Sequence, residues 1–210
     1  LITRGDTYQV NYSFPLFANF RGEPLALYRA LNLAQGGEYS CFLDLGRYQI
    51  LSLSPELFFE RRGQTVRTKP MKGTVRRGRW LAEDKELASW LSNSAKDRAE
   101  NVMIVDLLRN DLGRVCELGS VRVPKLMEIE SYATVHNLVS TVRGQLLREC
   151  STADLIRSAF PPGSMTGAPK MRTCQILEVL EEVHKDRPAP YLAELAYHFF
   201  EGAQSGDADK

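Results

Sequence analysis

The sequence lacks a clear excess of charge of either sign. Its 27 lysine and arginine residues nearly balance its 26 aspartate and glutamate residues, which leaves a formal net charge of +1. A chain without a global positive field does not recruit nucleic acid or an anionic membrane through its overall charge. We therefore expect no nucleic-acid partner, and any bound anion must be held by a local group of residues.

Cysteine is scarce, and long apolar runs are absent. The four cysteines form no Cys-x-x-Cys pair and are widely spaced, at Cys41, Cys116, Cys150 and Cys174. This spacing is typical of reduced thiols in the cytosol and argues against zinc. No apolar segment approaches the ~18 residues of a membrane span, and the first residues do not have the form of a secretory signal. The sequence therefore predicts a cytoplasmic protein with no membrane partner.

The apolar and polar pattern predicts an α+β fold. Residues 8–14 alternate apolar and polar side chains, as a half-buried strand does, and residues 39–68 contain four β-rich runs separated by turn residues. Two further strands are predicted at residues 120–123 and 136–146. Helical patterns occupy residues 25–34, 82–91, 94–109, 152–159 and 169–183. The helix at 94–109 opens with Ser94 at the N-cap and Asp97 three residues later, which is a capping-box pattern. Because blocks of strands are followed by blocks of helices, the pattern favours α+β over a βαβ repeat.

Two side chains near the middle of the chain have the chemistry of an acid and a nucleophile. Glu56 precedes the apolar run Leu57 to Phe59, and an apolar setting favours a protonated carboxyl that can donate a proton. The same residue also fits an ordinary glutamate at the start of a strand. Lys72 lies in the predicted loop Pro-Met-Lys-Gly-Thr at 70–74, where a deprotonated amine can attack an electrophile. A solvated basic stretch over residues 67–79 is the alternative for Lys72.

Three other segments suggest anion or cation binding. Gly73 and Thr74 can bring backbone N–H groups and a hydroxyl against a carboxylate. Asp97 and Glu100 share one face of the predicted helix by their i,i+3 spacing, although an acidic residue in the first turn also caps a helix without any metal. The loop at 161–168 opens a helix, whose free N–H groups suit a carboxylate, or it simply turns the chain.

Seven motifs occur together in the order found in the chorismate-utilising enzymes, and the chain resembles that family. They cover residues 5–11, 54–56, 70–74, 96–101, 106–111, 138–140 and 162–170. Ordered motifs in context outweigh any single pattern. The resemblance implies antiparallel β-sheets packed together with helices on the outside. It also implies that residues 1–202 form a partial chorismate-binding catalytic domain, followed by a polar tail at 203–210.

The resemblance also implies which group enters chorismate. Water-adding members carry lysine where this chain has Gln9, and anthranilate synthases carry alanine where it has Lys72. Gln9 together with Lys72 therefore implies amination of chorismate at C4, giving 4-amino-4-deoxychorismate for folate synthesis. In that reaction Glu56 protonates the leaving hydroxyl, Lys72 attacks C2, and ammonia then adds at C4. An anthranilate synthase-like enzyme and a truncated, non-catalytic remnant are the alternatives.

Cofactor, partners and substrate contacts follow from the same resemblance. The family binds Mg²⁺, for which Glu100 matches a ligand and Asp97 is a second candidate, directly or through water. Ammonia is expected from a separate glutamine amidotransferase subunit in a heterodimer, because nothing here resembles a Cys/His glutaminase. The implied substrate contacts are Gly73, Thr74, Thr166, Gly167 and Tyr191.

The sequence departs from the family pattern at two places. Anthranilate synthases carry histidine directly before Leu-Val-Ser, where this chain has Asn137, and its own histidine is His136. Neighbouring residues of a strand point to opposite faces, so we interpret His136 as structural. Residues 191–197 carry alanines where the family has glycines, and the family's later arginine and metal carboxylates are missing before Lys210. We therefore expect a domain that is incomplete at its carboxy terminus and lacks the amino-terminal region.

Overall fold

The computed structural model describes residues 2–13 and 15–184, and these form an α+β fold with antiparallel sheets, as predicted. After a single 3₁₀ turn at Ile2–Arg4, the elements are β1 (Gln9–Val10), α1 (Pro24–Gln35), β2 (Tyr39–Asp44), β3 (Gln49–Ser54), β4 (Leu57–Arg62), β5 (Thr65–Lys69), β6 (Met71–Arg76), α2 (Leu81–Asn93), α3 (Ala95–Gly113), β7 (Arg122–Ser131), β8 (Val135–Gln145), α4 (Thr152–Ala159), α5 (Gly163–Thr166), β9 (Gly167–Ala168) and α6 (Lys170–His184). No helix among the described residues has the length and apolar character needed to cross a membrane. Tyr191 and the predicted boundary at 202 lie outside the described residues.

The main sheet is built around β8. One edge of β8 pairs with β5 and then with β6, which follow each other along the chain with only Pro70 between them. The other edge pairs with β7, and β4 completes the sheet beside β5. Two smaller sheets consist of β2 with β3 and of β1 with β9. All of these pairs are antiparallel.

Helix α3 covers one face of the main sheet and forms the core with it. Val66 of β5 and Val142 of β8 are fully buried against Ile104 of α3 and Leu155 of α4. Fully burying one such side chain stabilises the fold by about 1.5–3 kcal/mol. The buried Asn101 side chain adds a polar tie, because its Nδ2 donates to the carbonyl of Leu138 at 3.0 Å. Helix α3 is therefore held rigidly over β8.

The helix starts follow the sequence closely. Ser94 caps α3, as predicted, and its hydroxyl oxygen accepts a hydrogen bond from the Asp97 N–H at 3.4 Å. The Asp97 carboxylate bonds the Ser94 hydroxyl rather than the backbone N–H of the cap, so only half of the predicted capping box forms. The complete box lies at α4, between Ser151 and Asp154, where the sequence analysis had not identified one.

Two segments differ from their predicted conformation. The strand predicted at residues 8–14 is reduced to the two residues of β1, because β9, its partner in the described part of the chain, is itself two residues long. The segment at 70–74, predicted as a loop from its proline and glycine, lies mostly in β6. A register shift between Met71 and Thr74 accommodates the glycine as a bulge, so the strand continues through it.

Candidate active site

The bulge in β6 brings the backbone of Gly73 against the start of α3. Gly73 has a φ of 92°, and a Cβ atom at this position would lie 2.8 Å from the Cβ of Asp97. Only glycine fits this close approach without displacing the helix. Lys72, the predicted nucleophile, is half-buried directly before this contact.

The predicted acid, Glu56, lies in the turn between β3 and β4. The Ser54 hydroxyl oxygen accepts a hydrogen bond from the Glu56 N–H at 3.2 Å and so fixes this turn. The carboxylate oxygen Oε1 accepts a hydrogen bond from the Ser164 hydroxyl at 2.9 Å. Burial raises the pKa of Glu56, while hydrogen bonds from Ser164 and the Met71 backbone and the charge of Lys72 partly oppose that rise. Glu56 is therefore a carboxyl that stays protonated to higher pH than usual. It lies close enough to Lys72 for the lysine charge to act on its pKa.

The predicted anion-binding loop is fixed in place by β1. Gly167 has a φ of 115°, and a Cβ atom there would lie only 2.0 Å from the carbonyl oxygen of Gln9. Asn11 Nδ2 donates to the carbonyl of Ser164 at 3.0 Å. The buried Thr166 donates its hydroxyl to the carbonyl of Pro162 at 3.2 Å, within the loop itself. The loop thus places Ser164 against Glu56 and Gly167 against the backbone of Gln9.

A cleft of about 880 Å³ lies between β1, α3 and the start of α6. Gln9, Glu100 and Ala168 are among the residues that line it. The side-chain oxygen Oε1 of Gln9 is buried and has no hydrogen-bond partner among the described residues. Leaving such an oxygen unsatisfied costs about 1–3 kcal/mol. A donor or a cation bound in this cleft would remove that cost.

Two oxygen donors of this cleft fit a magnesium ion that keeps most of its water. Mg²⁺ is usually held by one or two carboxylates together with water and substrate, and the residues Glu100 and Gln9 line the same space. Within the part of the chain that the structure describes, no cluster of three or more His, Cys, Asp or Glu residues forms a metal site of its own. Asp97 has one carboxylate oxygen bonded to Ser94, and its role as a metal ligand stays a prediction.

The floor of the cleft contains an ion pair that the sequence analysis missed. Lys170 donates to Asp111 Oδ2 and to the carbonyl of Ala159, the latter at 2.9 Å, and Asp111 is buried while Lys170 is mostly buried. Burial raises the pKa of Asp111, although the charge of Lys170 opposes that rise. Both residues lie in quoted motifs, but nothing in the sequence indicates that residues 59 positions apart would pair. The pair joins the start of α6 to α3.

The remaining predicted residues lie close to the site but already have partners. Thr74 donates its hydroxyl to Asn137 Oδ1 at 2.7 Å, so Asn137 supports β6 from the neighbouring strand. His136 is buried between the Ser131 hydroxyl at 2.8 Å and Asp84 Oδ1 at 3.0 Å. These contacts fit the structural interpretation of His136. The structure thus gives one group around Glu56 and Lys72 and another around Gln9 and Glu100.

Comparison with known proteins places these groups in a family. The sequence profile of the chorismate binding enzyme family matches residues 1–189. The chain belongs to the chorismate-binding enzyme family. Its relatives include the aminodeoxychorismate synthase of Streptomyces pristinaespiralis, 47% identical over 97% of this chain, and aminodeoxychorismate synthase component 1 of Escherichia coli K12, 48% identical over 84%. The chain spans 28% and 39% of these two relatives, respectively.

The fold of the chorismate-binding family is also found among solved structures. Anthranilate synthase component I from Streptococcus pneumoniae TIGR4 superimposes with a TM-score of 0.76 at 38% sequence identity. The match covers 86% of this chain and 39% of that protein. The comparison confirms the predicted α+β architecture of antiparallel sheets and helices.

Proposed function

We propose that this chain is the catalytic part of an aminodeoxychorismate synthase, which adds ammonia to C4 of chorismate. The observation that carries the proposal is that Glu56, whose pKa is raised by burial, lies close enough to Lys72 for the lysine charge to act on its carboxyl. The names of the relatives support the same substrate and product. Gln9 in place of a water-activating lysine, together with lysine at 72, favours ammonia over water as the group that enters.

The first proposed step joins Lys72 to the ring. The deprotonated Lys72 amine forms a bond to C2, the two conjugated double bonds shift toward C4, and the C4–O bond breaks. Glu56 donates its proton to the departing hydroxyl, which leaves as water. This step needs a carboxyl that is still protonated near neutral pH, which is the state that burial favours for Glu56.

The second proposed step releases Lys72. Ammonia forms a bond to C4, the double bonds shift back, and the bond between C2 and the Lys72 nitrogen breaks. The new C4 ammonium group then returns one proton to Glu56, so the enzyme regains its starting state. The net reaction consumes chorismate and ammonia and produces 4-amino-4-deoxychorismate and water.

Glu100, with Gln9 and Asp97 as further candidates, would hold magnesium beside this site. A bound Mg²⁺ supplies positive charge that neutralises and orients a substrate carboxylate. The name "component 1" of the relatives suggests a second component, and we propose a glutamine amidotransferase subunit as the ammonia source. The chain alone should therefore use ammonium salts but not glutamine.

Product analysis tests the proposal directly. The protein is incubated with chorismate, Mg²⁺ and ammonium, and the products and any adduct on Lys72 are identified by mass spectrometry. We expect 4-amino-4-deoxychorismate. Lys72→Ala should abolish the adduct and the C4 product, because no covalent intermediate can form.

Two other results would select the alternatives. Anthranilate with release of pyruvate would indicate an anthranilate synthase-like enzyme, in accord with the solved structural relative. Chorismate binding without turnover at high ammonium concentration would indicate a non-catalytic remnant. Isochorismate or salicylate as the sole product would refute amination altogether.

A further inference from the structure

The face of the main sheet opposite α3 carries a row of charged side chains. Glu60 of β4, Arg67 of β5, Arg143 of β8 and Arg122 of β7 are direct cross-strand neighbours in the observed register. They point away from the core because the alternate residues of β5 and β8, such as Val66 and Val142, point into it. Neighbouring strands are only about 4.8 Å apart, and like charges directly opposite each other destabilise a sheet.

Most of this positive charge is not neutralised within the row. Glu60 accepts from both Arg62 and Arg67. The side chains of Arg143 and Arg122 are exposed, and neither has a hydrogen-bond or ion-pair partner among the described residues. The unpaired guanidinium groups of Arg143 and Arg122 therefore lie on neighbouring strands. Arg67 lies beside Arg143 and shares the Glu60 carboxylate with Arg62.

The shape of the sheet turns this row into a groove. Register shifts on both sides of Lys125 and a φ of 57° at Met127 bend β7. The groove between β7 and β4 has a volume of about 500 Å³, and its lining has five cationic side chains against two anionic ones. Arg143 and the Thr141 hydroxyl lie among its lining residues. A space of this size is typical of small-molecule sites.

We propose that this groove binds a small polyanion with at least two phosphate or carboxylate groups. One group would bridge Arg143 and Arg67, and another would reach Lys125, whose ammonium also contacts Glu128 at 2.8 Å. The planar guanidinium group binds either kind of anion through two parallel hydrogen bonds, which makes arginine suited to this task. The ligand would supply the negative charge that the row lacks.

The groove is distinct from the candidate active site. The cavity at Glu56 is lined by Thr68 and by Ile104 of α3, so it lies on the helix-covered face of the sheet. Arg67, next to Thr68 in β5, points to the other face. Occupation of the groove therefore needs no chorismate, and its test is independent of the proposed reaction.

Binding can be measured by titration calorimetry in metal-free buffer, with inorganic pyrophosphate and citrate as probes. Chloride at equal ionic strength corrects for general screening. Arg143→Gln should weaken the binding of a probe about tenfold or more, as expected for the loss of one charge-assisted pair. Arg148→Gln is the matched control, because it removes an exposed arginine outside the groove and should leave the affinity unchanged.

Thermal unfolding in chloride alone shows whether the variant folds. Arg143→Gln should unfold at the same temperature as the wild type or higher, because the substitution relieves repulsion within the row. Equal affinities of the wild type and Arg143→Gln for both probes would overturn the proposal. It would also fail if the probes did not bind while a single-stranded oligonucleotide bound in an Arg143-dependent manner, since the groove would then be part of a nucleic-acid surface.

Discussion

At the residue scale, Glu56 experiences two opposing influences on its pKa. Burial disfavours its charged form, whereas Ser164, the Met71 backbone and Lys72 favour it, and burial has the larger effect. The apolar run after Glu56 allowed this direction to be predicted from the sequence. The hydrogen bond with Ser164 could not be predicted, because the two residues lie 108 positions apart. They meet because the β1–β9 pair holds the loop that contains Ser164.

Glu56→Gln should lower activity and raise stability in the same variant. Glutamine has no proton to donate, so chorismate turnover should fall about a hundredfold or more. Because the pKa of Glu56 is higher in the folded than in the unfolded state, the folded wild type binds this proton more tightly. Its free energy of unfolding therefore falls as pH rises between the two pKa values.

Urea unfolding of the variant should show this dependence removed. Below the unfolded-state pKa of Glu56, the variant and the wild type should have the same free energy of unfolding. Above the folded-state pKa, the free energy of unfolding of the variant should be the larger. Glu149→Gln, at an exposed glutamate, should show neither effect. A variant that is less stable than the wild type at every pH would contradict the direction assigned to the Glu56 pKa.

Gly167→Ala should be far more damaging than alanine at another glycine with positive φ. A methyl group at 167 would collide with the Gln9 carbonyl and would also strain the backbone. We expect a loss of roughly 3 kcal/mol in the free energy of unfolding. Gly46→Ala, where φ is 76° but no atom lies within 4 Å, should cost only about 1 kcal/mol. Equal losses in denaturant titrations would show that the contact with Gln9 is unimportant.

At the scale of elements, the helices were predicted better than the short strands. The prediction for α4 was correct at both ends, because Ser151 caps it and Phe160-Pro161 follows it. The prediction for α3 ended at 109, four residues early, because Asp111 is buried by its tertiary contact with Lys170. The predicted strand at residues 8–14 was too long, because the length of β1 is set by its pairing with the distant β9.

Ser151→Ala tests the local stabilisation of α4. The substitution removes the hydroxyl of a complete capping box and should lower the free energy of unfolding by about 1 kcal/mol. Ser89→Ala, at an exposed position inside α2, should be neutral or slightly stabilising because alanine favours helix. Denaturant midpoints measure both variants. A neutral Ser151→Ala would mean that packing alone determines where α4 starts.

At the scale of the whole molecule, magnesium should affect turnover but not folding. The core is apolar, and no carboxylate cluster of the described residues depends on a metal to hold it together. Chelation with EDTA should therefore abolish chorismate turnover and leave the unfolding temperature unchanged. Glu100→Gln should raise the Mg²⁺ concentration needed for half-maximal activity about tenfold. Unchanged activity after chelation would exclude a metal-dependent reaction.

The roles of Glu56, Lys72, Gln9 and Glu100 in the site stay predictions. In the structure Glu56, Gln9 and Glu100 line cavities, and Lys72 is half-buried. Their division into two groups depends on the β6 bulge and on the approach of β1 to β9, which are tertiary features. The arginine row was invisible for the same reason, because its members come from three separate segments.

The pairing of β1 with β9 also constrains when this protein can acquire its site during synthesis. The Thr7 hydroxyl donates to the carbonyl of Ala168, 161 residues later, at 2.9 Å. Translation proceeds at about 5–20 residues per second, so the first strand must wait roughly ten seconds or longer for its partner to be made. Contacts between such distant segments also slow folding itself. A nascent chain can thus bury the core of the main sheet before it can close the cleft at Gln9.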